Sequence, residues 1–138
     1  MRVLICGSRN WDDPGWIRQA LSAIVANSPN GVEVIEGEAR GADTIARAVA
    51  EELELKVHQF PANWSKYGRS AGPIRNRQML VEGKPDLVLA FHKDLLNSKG
   101  TKNMVVQAEN ARIPTWRCTD GAKQLAIRVL EAAEEVTP

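Results

Sequence analysis

Apolar and polar positions alternate along this 138-residue chain in blocks that predict strands and helices in turn. Short apolar runs bounded by glycine, proline or polar residues are typical of strands. Such runs occupy residues 2–6, 32–35, 56–60, 86–91 and 114–118. The fourth run is almost entirely apolar, which indicates a central strand buried on both faces of a sheet.

Apolar residues at helical spacing predict a helix after each strand. The first covers residues 14–26, where Pro14 suits the first turn and residues from Ile17 to Ile24 form the buried stripe. Three more are predicted from about residues 42 to 53, 73 to 81 and 101 to 111, and a last one after residue 121. Residues 61–73 are predicted to lack regular structure, and an insertion longer than an ordinary strand-to-helix loop is often functional.

Five strands that alternate with five helices predict an α/β fold. Right-handed crossovers favour a Rossmann-like three-layer sandwich with a five-stranded, mainly parallel sheet. A length of 138 residues and a hydrophobic content of 43% fit one domain over residues 1–138.

Three glycine-containing turns follow predicted strands, at residues 7–9, 36–43 and 98–101. Ligands of such sheets bind beyond the carboxyl ends of the strands, where the strand order reverses. If the first strand is central and pairs with the fourth, the three turns meet on one rim. Glycine lets the backbone approach a ligand closely, and the N–H groups at a helix start favour an anion. The alternative for residues 36–43 is a tight turn in which Asp43 serves only the first helical turn.

Charge limits the class of ligand. Eighteen basic and 17 acidic residues give a formal net charge of +1, which disfavours binding of a long nucleic acid by charge alone. Basic residues nevertheless cluster between Lys66 and Arg77, whereas acidic residues collect near the C-terminus. A local anion site is therefore expected.

The two cysteines, Cys6 and Cys118, lie in apolar strand-like runs without metal-binding spacing, and buried thiols are expected. We expect no metal and no cofactor. The chain opens directly on a strand, with no signal-peptide pattern and no apolar run that could span a membrane, so a cytoplasmic location is expected.

Several side chains in the turns suit a phosphate or a base. Hydroxyls of Ser8, Ser98 and Thr101 could accept or donate hydrogen bonds, and Arg9 and Arg75 could hold a phosphate through two bonds each. The aromatic rings of Trp11, Trp64 and Tyr67 could stack on a base. The alternative is that the arginines pair with carboxylates and the tryptophans cover the sheet edge.

Other chemistries have little support. Neither a Walker P-loop nor a GxGxxG fingerprint is present, and Ser8 does not lie in a nucleophile elbow. The carboxylates expected at the rim are Glu36, Glu38 and Asp43, one of which could act as a general acid or base. For Glu38, exposure to solvent or capping of the following helix is favoured over a catalytic role.

Four segments together resemble the SLOG superfamily, and most closely its YspA-like branch of small Rossmann-like proteins. They are GSR at 7–9, GEARGAD at 37–43, WSKYGRSAGPIRNRQM at 64–79 and SKGTKNM at 98–104. The AGPxRN part with its following methionine is the most specific of them. The superfamily it resembles includes the LOG phosphoribohydrolases and the DNA-processing protein DprA.

The resemblance implies roles for particular residues. In LOG enzymes a GGxGTxxE motif binds phosphate and supplies a catalytic glutamate, assisted by an arginine on the preceding helix. Here Gly100, Thr101 and Arg75 match, but Met104 stands at the glutamate position. LOG-type hydrolysis would therefore need a displaced carboxylate, for which Glu36 and Asp43 are the candidates together with Arg75. Phosphate binding by the same turn is unaffected.

The resemblance also implies a pocket for a nucleotide or a nucleotide-derived molecule such as an ADP-ribose-like ligand. The expected ligand-binding residues are Gly7, Ser8, Arg9, Gly37, Gly41, Ala42, Asp43, Trp64, Tyr67, Gly72, Pro73, Arg75, Asn76, Ser98, Gly100 and Thr101. The leading hypothesis is a sensor or binding domain. The alternatives are a nucleotide N-glycosidase or phosphohydrolase and a DprA-like protein that binds single-stranded nucleic acid. LOG relatives commonly form dimers, so a homodimer is slightly favoured, through Met104, Val105 and Ala108 unless these residues pack on the sheet.

Overall fold

A computed structural model describes residues 1–119 of the chain, and it contains one five-stranded sheet. The strands are β1 (Arg2–Gly7), β2 (Glu33–Glu36), β3 (Lys56–Gln59), β4 (Leu87–Phe91) and β5 (Thr115–Cys118). Their order is β3-β2-β1-β4-β5, and every pair is parallel. The predicted Rossmann-like α/β fold is confirmed, with β1 central and paired with β4.

Helices cover both faces of this sheet. They are α1 (Pro14–Ala26), α2 (Ala42–Glu52), α3 (Trp64–Tyr67), α4 (Ala71–Val81) and α5 (Gly100–Asn110). The apolar stripes of α1 and α2 pack on one face of the sheet, whereas Met79 of α4 and Met104 of α5 pack on the other. The helix predicted after residue 121 lies outside the described residues. No helix within residues 1–119 is long and apolar enough to cross a membrane.

The prediction that residues 61–73 lack regular structure holds for residues 61–63 and was wrong for the rest. The Asn63 side chain accepts a hydrogen bond from the Lys66 N–H at 3.1 Å and so caps the short helix α3. A 3₁₀ turn over Gly68–Ser70 then leads directly into α4, which begins at Ala71, two residues before the expected start. Pro73 falls in the first turn of α4, where its missing N–H costs no helical hydrogen bond.

Buried apolar residues cover both faces of the central strands. All five residues of β4 are buried, as the apolar run predicted. On the α5 side of the sheet, Met104, Val105 and Ala108 are buried against β1 and β4. These three residues therefore stabilise the monomer and do not form the dimer surface considered above, so the homodimer stays a prediction without them.

The turn after β1 and the start of α2 approach each other closely. Ser8 donates its N–H to the Phe91 carbonyl at 2.9 Å, and its own carbonyl accepts the Ala42 N–H at 3.1 Å. Gly41 has a φ of +82°, and a Cβ atom there would lie 2.6 Å from the Arg9 carbonyl oxygen and closer still to that of Ser8. The conformation and the contact both require glycine.

Because of this contact, replacement of Gly41 should destabilise the fold more than replacement of Gly31, although both glycines have a positive φ. Gly41→Ala should lower the free energy of unfolding by about 1–3 kcal/mol through overpacking, in addition to a backbone strain of about 1–3 kcal/mol, because a φ of 82° with a ψ of −123° is rare for a residue with a side chain. Gly31 is the matched control because it has a φ of +92°, but a Cβ atom added there would have no atom within 4 Å. Gly31→Ala should therefore cost the strain alone. Urea denaturation measures both variants, and equal losses would show that the approach of Ser8 and Arg9 to Gly41 is not constraining.

Candidate functional site

A cavity of about 570 Å³ opens at the carboxyl ends of β1 and β4, where the strand order reverses. This is the place that the sheet topology predicts for a ligand. Of the residues predicted from the sequence, it is lined by Gly7, Ser8, Arg9, Asp43, Trp64, Gly72, Pro73, Arg75, Asn76, Ser98, Gly100 and Thr101. All three predicted turns thus reach one region of the surface.

A second cavity of about 400 Å³ lies beside the first. Its lining includes Gly37, and it shares Arg9, Ala39, Trp64 and Arg75 with the larger cavity. The remaining predicted site residues line neither cavity. They are Glu36, Gly41, Ala42 and Tyr67.

Two adjacent residues of α4 connect the turns. The Arg75 guanidinium donates through Nη1 to the Gly37 carbonyl and through Nε to the Asn76 side chain at 3.0 Å. The Asn76 amide in turn donates to the Gly100 carbonyl at 3.2 Å and to Asn103 at 3.1 Å. Both side chains are buried. The AGPxRN segment therefore fixes the turn after β2 and the start of α5 relative to each other.

The start of α5 is the better of the two predicted anion sites. The Ser98 hydroxyl, which precedes the N-cap residue Lys99, accepts the Lys102 N–H at 3.1 Å and donates to the Leu95 carbonyl at 2.8 Å. The first N–H groups of a helix have no partner within it, and Gly100 and Thr101, the first two residues of α5, line the cavity. At the start of α2, by contrast, the Ala42 N–H is bonded to Ser8 and is not available to a ligand.

Asp43 lies in the cavity wall and also holds its own turn together. One carboxylate oxygen accepts the N–H groups of Gly37 and Ala39, both at 3.2 Å. Burial raises the pKa of Asp43 to about 6, although the positive charge of Arg75 and the two N–H groups oppose this shift. Asp43 can therefore exchange a proton near neutral pH.

Glu36 is fully buried beneath the turn and does not lie at the rim, where the sequence placed it. Its Oε2 accepts the Glu38 N–H at 2.7 Å, while Oε1 has no partner among the described residues. Burial, with a smaller contribution from the Glu38 side chain, raises the pKa of Glu36 to about 8. Its role as a catalytic acid or base stays a prediction, and it would have to act through other groups.

The aromatic residues differ in their availability. Trp11 is buried, and its ring packs against Phe91 and Trp16 while its Nε1 donates to the Asp13 carbonyl at 2.8 Å, so its predicted stacking on a base was wrong. Trp64 is half exposed and lies between the two cavities, with the Arg9 guanidinium 5.4 Å from its ring centre.

The floor of the larger cavity is apolar. Cys6, Met79 and Met104 line it and are all buried. Burial raises the pKa of the Cys6 thiol well above its usual range, and the nearby Asp43 adds to the effect. The thiol therefore stays protonated at neutral pH and is a poor nucleophile, as expected for a buried cysteine.

Sequence reasoning missed several polar residues of the larger cavity. They are Asn10, Arg69, His92, Lys99 and Asn103. Arg69 and Lys99 lie within the resembling segments, so the basic cluster and the SKGT turn were the signals that pointed to them. No group of three or more potential metal ligands is present within residues 1–119.

The buried Glu36 carboxyl should make the stability of the fold depend on pH. The folded chain retains this proton up to about pH 8, whereas an unfolded chain releases it near the ordinary pKa of 4.5, so the free energy of unfolding falls as the pH rises between these values. Asp43 adds the same trend only up to about pH 6. Glu36→Gln should therefore flatten the decline between about pH 6 and pH 8, where the slope can reach at most about 1.4 kcal/mol per pH unit.

Urea denaturation across this pH range measures the effect. Glu51→Gln is the control, because Glu51 is an exposed glutamate on α2 and its replacement should leave the slope intact. An unchanged slope in the Glu36 variant would show that the buried carboxyl is ionised in the folded protein at neutral pH.

Comparisons with known proteins agree with this architecture. The family model described as "YspA, cpYpsA-related SLOG family" matches residues 1–67. The Gene 61 protein of Mycobacterium phage D29 is 39% identical over 118 residues, which cover 82% of this chain and 92% of the phage protein. The crystal structure of DNA processing protein A (DprA) from Streptococcus pneumoniae has a similar fold, with a TM-score of 0.62 and 15% identity over 94% of this chain.

The chain spans only 56% of the length of DprA, so that similarity concerns the fold alone. The family match includes β1, α1, β2 and the turn into α2, and the similarity to the phage protein covers most of the chain. On this evidence the chain belongs to the YspA, cpYpsA-related SLOG family.

Proposed function

We propose that this protein binds a nucleotide or a nucleotide-derived small molecule, with a phosphate at the start of α5. The observation that carries the proposal is that the start of α5 and two arginines line the same cavity. Gly100 and Thr101 lie at the helix start, and Arg9 and Arg75 lie in the walls of the same cavity. Helix starts favour anions through both their free N–H groups and the helix dipole.

The geometry around Gly100 supports a rigid phosphate site. Its carbonyl is bonded to Asn76, so the first turn of α5 is fixed before any ligand arrives. The Thr101 side chain is almost fully buried and lines the cavity. A preorganised site of this kind binds with little loss of conformational entropy.

Trp64 is the best candidate to contact the base. Half of its surface is exposed, and it lies in the walls of both cavities. Stacking of a base on such a ring contributes about 1–3 kcal/mol. Tyr67 is also exposed, but it lies outside both linings and contacts Lys66.

Binding is favoured over LOG-type hydrolysis by the residue at the glutamate position. Met104 is fully buried in the apolar floor of the cavity. A thioether cannot transfer a proton, so this position supplies neither an acid nor a base. A role as a sensor or binding domain needs the phosphate site and the cavity, both of which are independent of proton transfer by Met104.

A negative charge introduced at position 100 tests the phosphate site. Gly100→Asp places a carboxylate in the first turn of α5, where an added Cβ would have no atom within 4 Å and where an acidic residue stabilises the helix. This variant should fold normally but bind a nucleoside monophosphate at least about tenfold more weakly, because like charges repel. The matched control is Gly100→Asn, which has the same shape without the charge. Isothermal titration calorimetry with AMP and GMP measures both variants.

Equal affinities for the two Gly100 variants would place the phosphate elsewhere. Mass spectrometry of small molecules released from the freshly purified, denatured protein would identify a ligand that copurifies. Absence of any nucleotide binding by the parent protein in a broad thermal-shift panel would reject the proposal.

A second candidate function is cleavage of an N-glycosidic bond, with Asp43 as the acid or base. The observation in its favour is that Asp43 lines the cavity and has a pKa of about 6. This candidate predicts that Asp43→Asn lowers the release of free base from a nucleoside monophosphate by about 100-fold or more. Chromatography of the products measures the release, and calorimetry should show that the variant still binds. Turnover equal to that of the parent would exclude Asp43 as the catalytic group.

Single-stranded nucleic acid is a third candidate, and the similarity to DprA supports it only at the level of the fold. A net charge of +1 gives the chain no broad electrostatic attraction for a polyanion. Binding of an oligonucleotide that weakens steeply with salt would favour this candidate over the small-molecule site.

A further inference from the structure

His92 lies immediately after β4 and lines the larger cavity. The residue is half-buried, and its Nδ1 accepts the Asp94 N–H at 2.9 Å. A ring nitrogen that accepts a hydrogen bond carries no proton, so the neutral imidazole has its proton on Nε2. The fold therefore fixes both the orientation of the ring and the nitrogen that donates.

The neighbouring side chains leave this donor without a partner. The Asp94 carboxylate accepts two bonds from the Asn97 amide, at 3.0 and 2.9 Å. Lys93 extends to the Trp11 ring, whose centre lies 5.9 Å from the Lys93 Nζ. The Nε2–H of His92 has no hydrogen-bond acceptor among residues 1–119, so it is available to a ligand in the cavity.

The loop that joins β4 to α5 is braced from within. The Leu95 side chain is buried in the core on the α5 side of the sheet. The Leu95 carbonyl accepts the N–H and the hydroxyl of Ser98, at 3.1 and 2.8 Å, and the Ser98 hydroxyl accepts the Lys102 N–H at 3.1 Å. His92 stands at one end of this loop and Gly100 at the other, so the bracing limits the movement of one relative to the other.

His92 also differs in charge from other donors in the cavity lining, which include Arg9, Arg69, Arg75 and Lys99. Cationic side chains attract any anion, and the attraction depends mainly on distance. A neutral N–H in a fixed position instead binds only an acceptor that lies close to the axis of its bond. The imidazole therefore adds direction to a site whose other donors supply charge.

We infer that His92 binds the ligand directly, with its Nε2–H donating to an oxygen of the phosphate at the start of α5. His92 and the start of α5 are the two ends of one braced loop and line the same cavity. The oxygens of an ionised phosphate accept hydrogen bonds, so they suit a nitrogen that donates and cannot accept. This inference rests on the proposed function, because it adds a neutral, oriented donor to the same phosphate site.

Replacement by asparagine separates the two bonds of this ring. In His92→Asn the amide oxygen can accept the Asp94 N–H, as asparagine commonly does for the N–H two residues ahead, but no donor reaches the position of Nε2. The variant should keep the stability of the parent protein and bind AMP or GMP about tenfold more weakly. Isothermal titration calorimetry measures the affinity, and urea denaturation measures the stability.

His92→Gln is the matched variant with the opposite loss. The glutamine amide can place an N–H near the position of Nε2, but it has no acceptor at the position of Nδ1. Its affinity for the monophosphate should stay within about threefold of the parent value, although loss of the bond to Asp94 lowers its stability. Affinities that follow stability in the two variants would assign His92 to loop structure alone and overturn the inference.

A double variant tests whether the acceptor is the phosphate. Gly100→Asp weakens phosphate binding by charge repulsion, so adding His92→Asn to it should cost clearly less than the loss of about tenfold expected in the parent protein. Full additivity of the two losses would place the acceptor oxygen elsewhere in the ligand and overturn the assignment to the phosphate.

The outcomes separate the inference from the proposed function. An affinity of His92→Asn equal to that of the parent protein would overturn the inference and leave the proposed function intact. Failure of the parent protein to bind AMP, GMP or any other nucleotide would overturn the proposed function, and the inference with it.

Discussion

The candidate site depends on the pair Arg75 and Asn76, two adjacent buried residues of α4 that hold the carbonyl groups of Gly37 and Gly100. The bond to Gly37 is buried and the bond to Gly100 is partly buried, so loss of either would leave a poorly solvated polar group without a partner. These bonds fix two turns that are more than sixty residues apart in sequence. A Cβ atom at Gly37 would lie 2.6 Å from the Arg75 Nη1, so a larger residue there would displace the guanidinium from this position. The positions of Arg75 and Gly37 therefore depend on each other.

The described elements show why so much of the fold was predictable and where prediction failed. The helix over Pro14–Ala26 was predicted with the observed bounds because it has a proline in its first turn and a regular apolar stripe. The short helix α3 was missed because it buries no residue and therefore has no apolar period to detect. Its signal was the cap at Asn63, which acts through a side-chain bond to a backbone N–H and not through hydrophobic pattern.

The positions of site residues could be predicted from the sequence where a motif fixed them. They were harder to predict where tertiary contacts determined them. Gly100 and Thr101 line the cavity as expected, because a strand end followed by a helix start determines their position. Glu36 was placed at the rim but is fully buried, since the last residue of β2 continues the strand under the turn. Arg69 and Lys99 also line the cavity. They lie within segments that the sequence singles out, but only the packing of these segments around the sheet edge shows that the two residues reach the cavity.

The two buried carboxyls near this site differ in pKa because their surroundings differ. Glu36 and Asp43 are both buried and both have a raised pKa, but Asp43 lies near the positive charge of Arg75 and accepts two backbone N–H groups, which limit its shift. Glu36 has one N–H partner and no such cation among its leading influences, so its shift is larger. Only Asp43 also reaches the cavity. A phosphate bound at the proposed site would raise the pKa of a neighbouring carboxyl, because like charges repel. In the proposed complex, ligand binding would therefore be coupled to proton uptake at Asp43, whether or not a bond is cleaved.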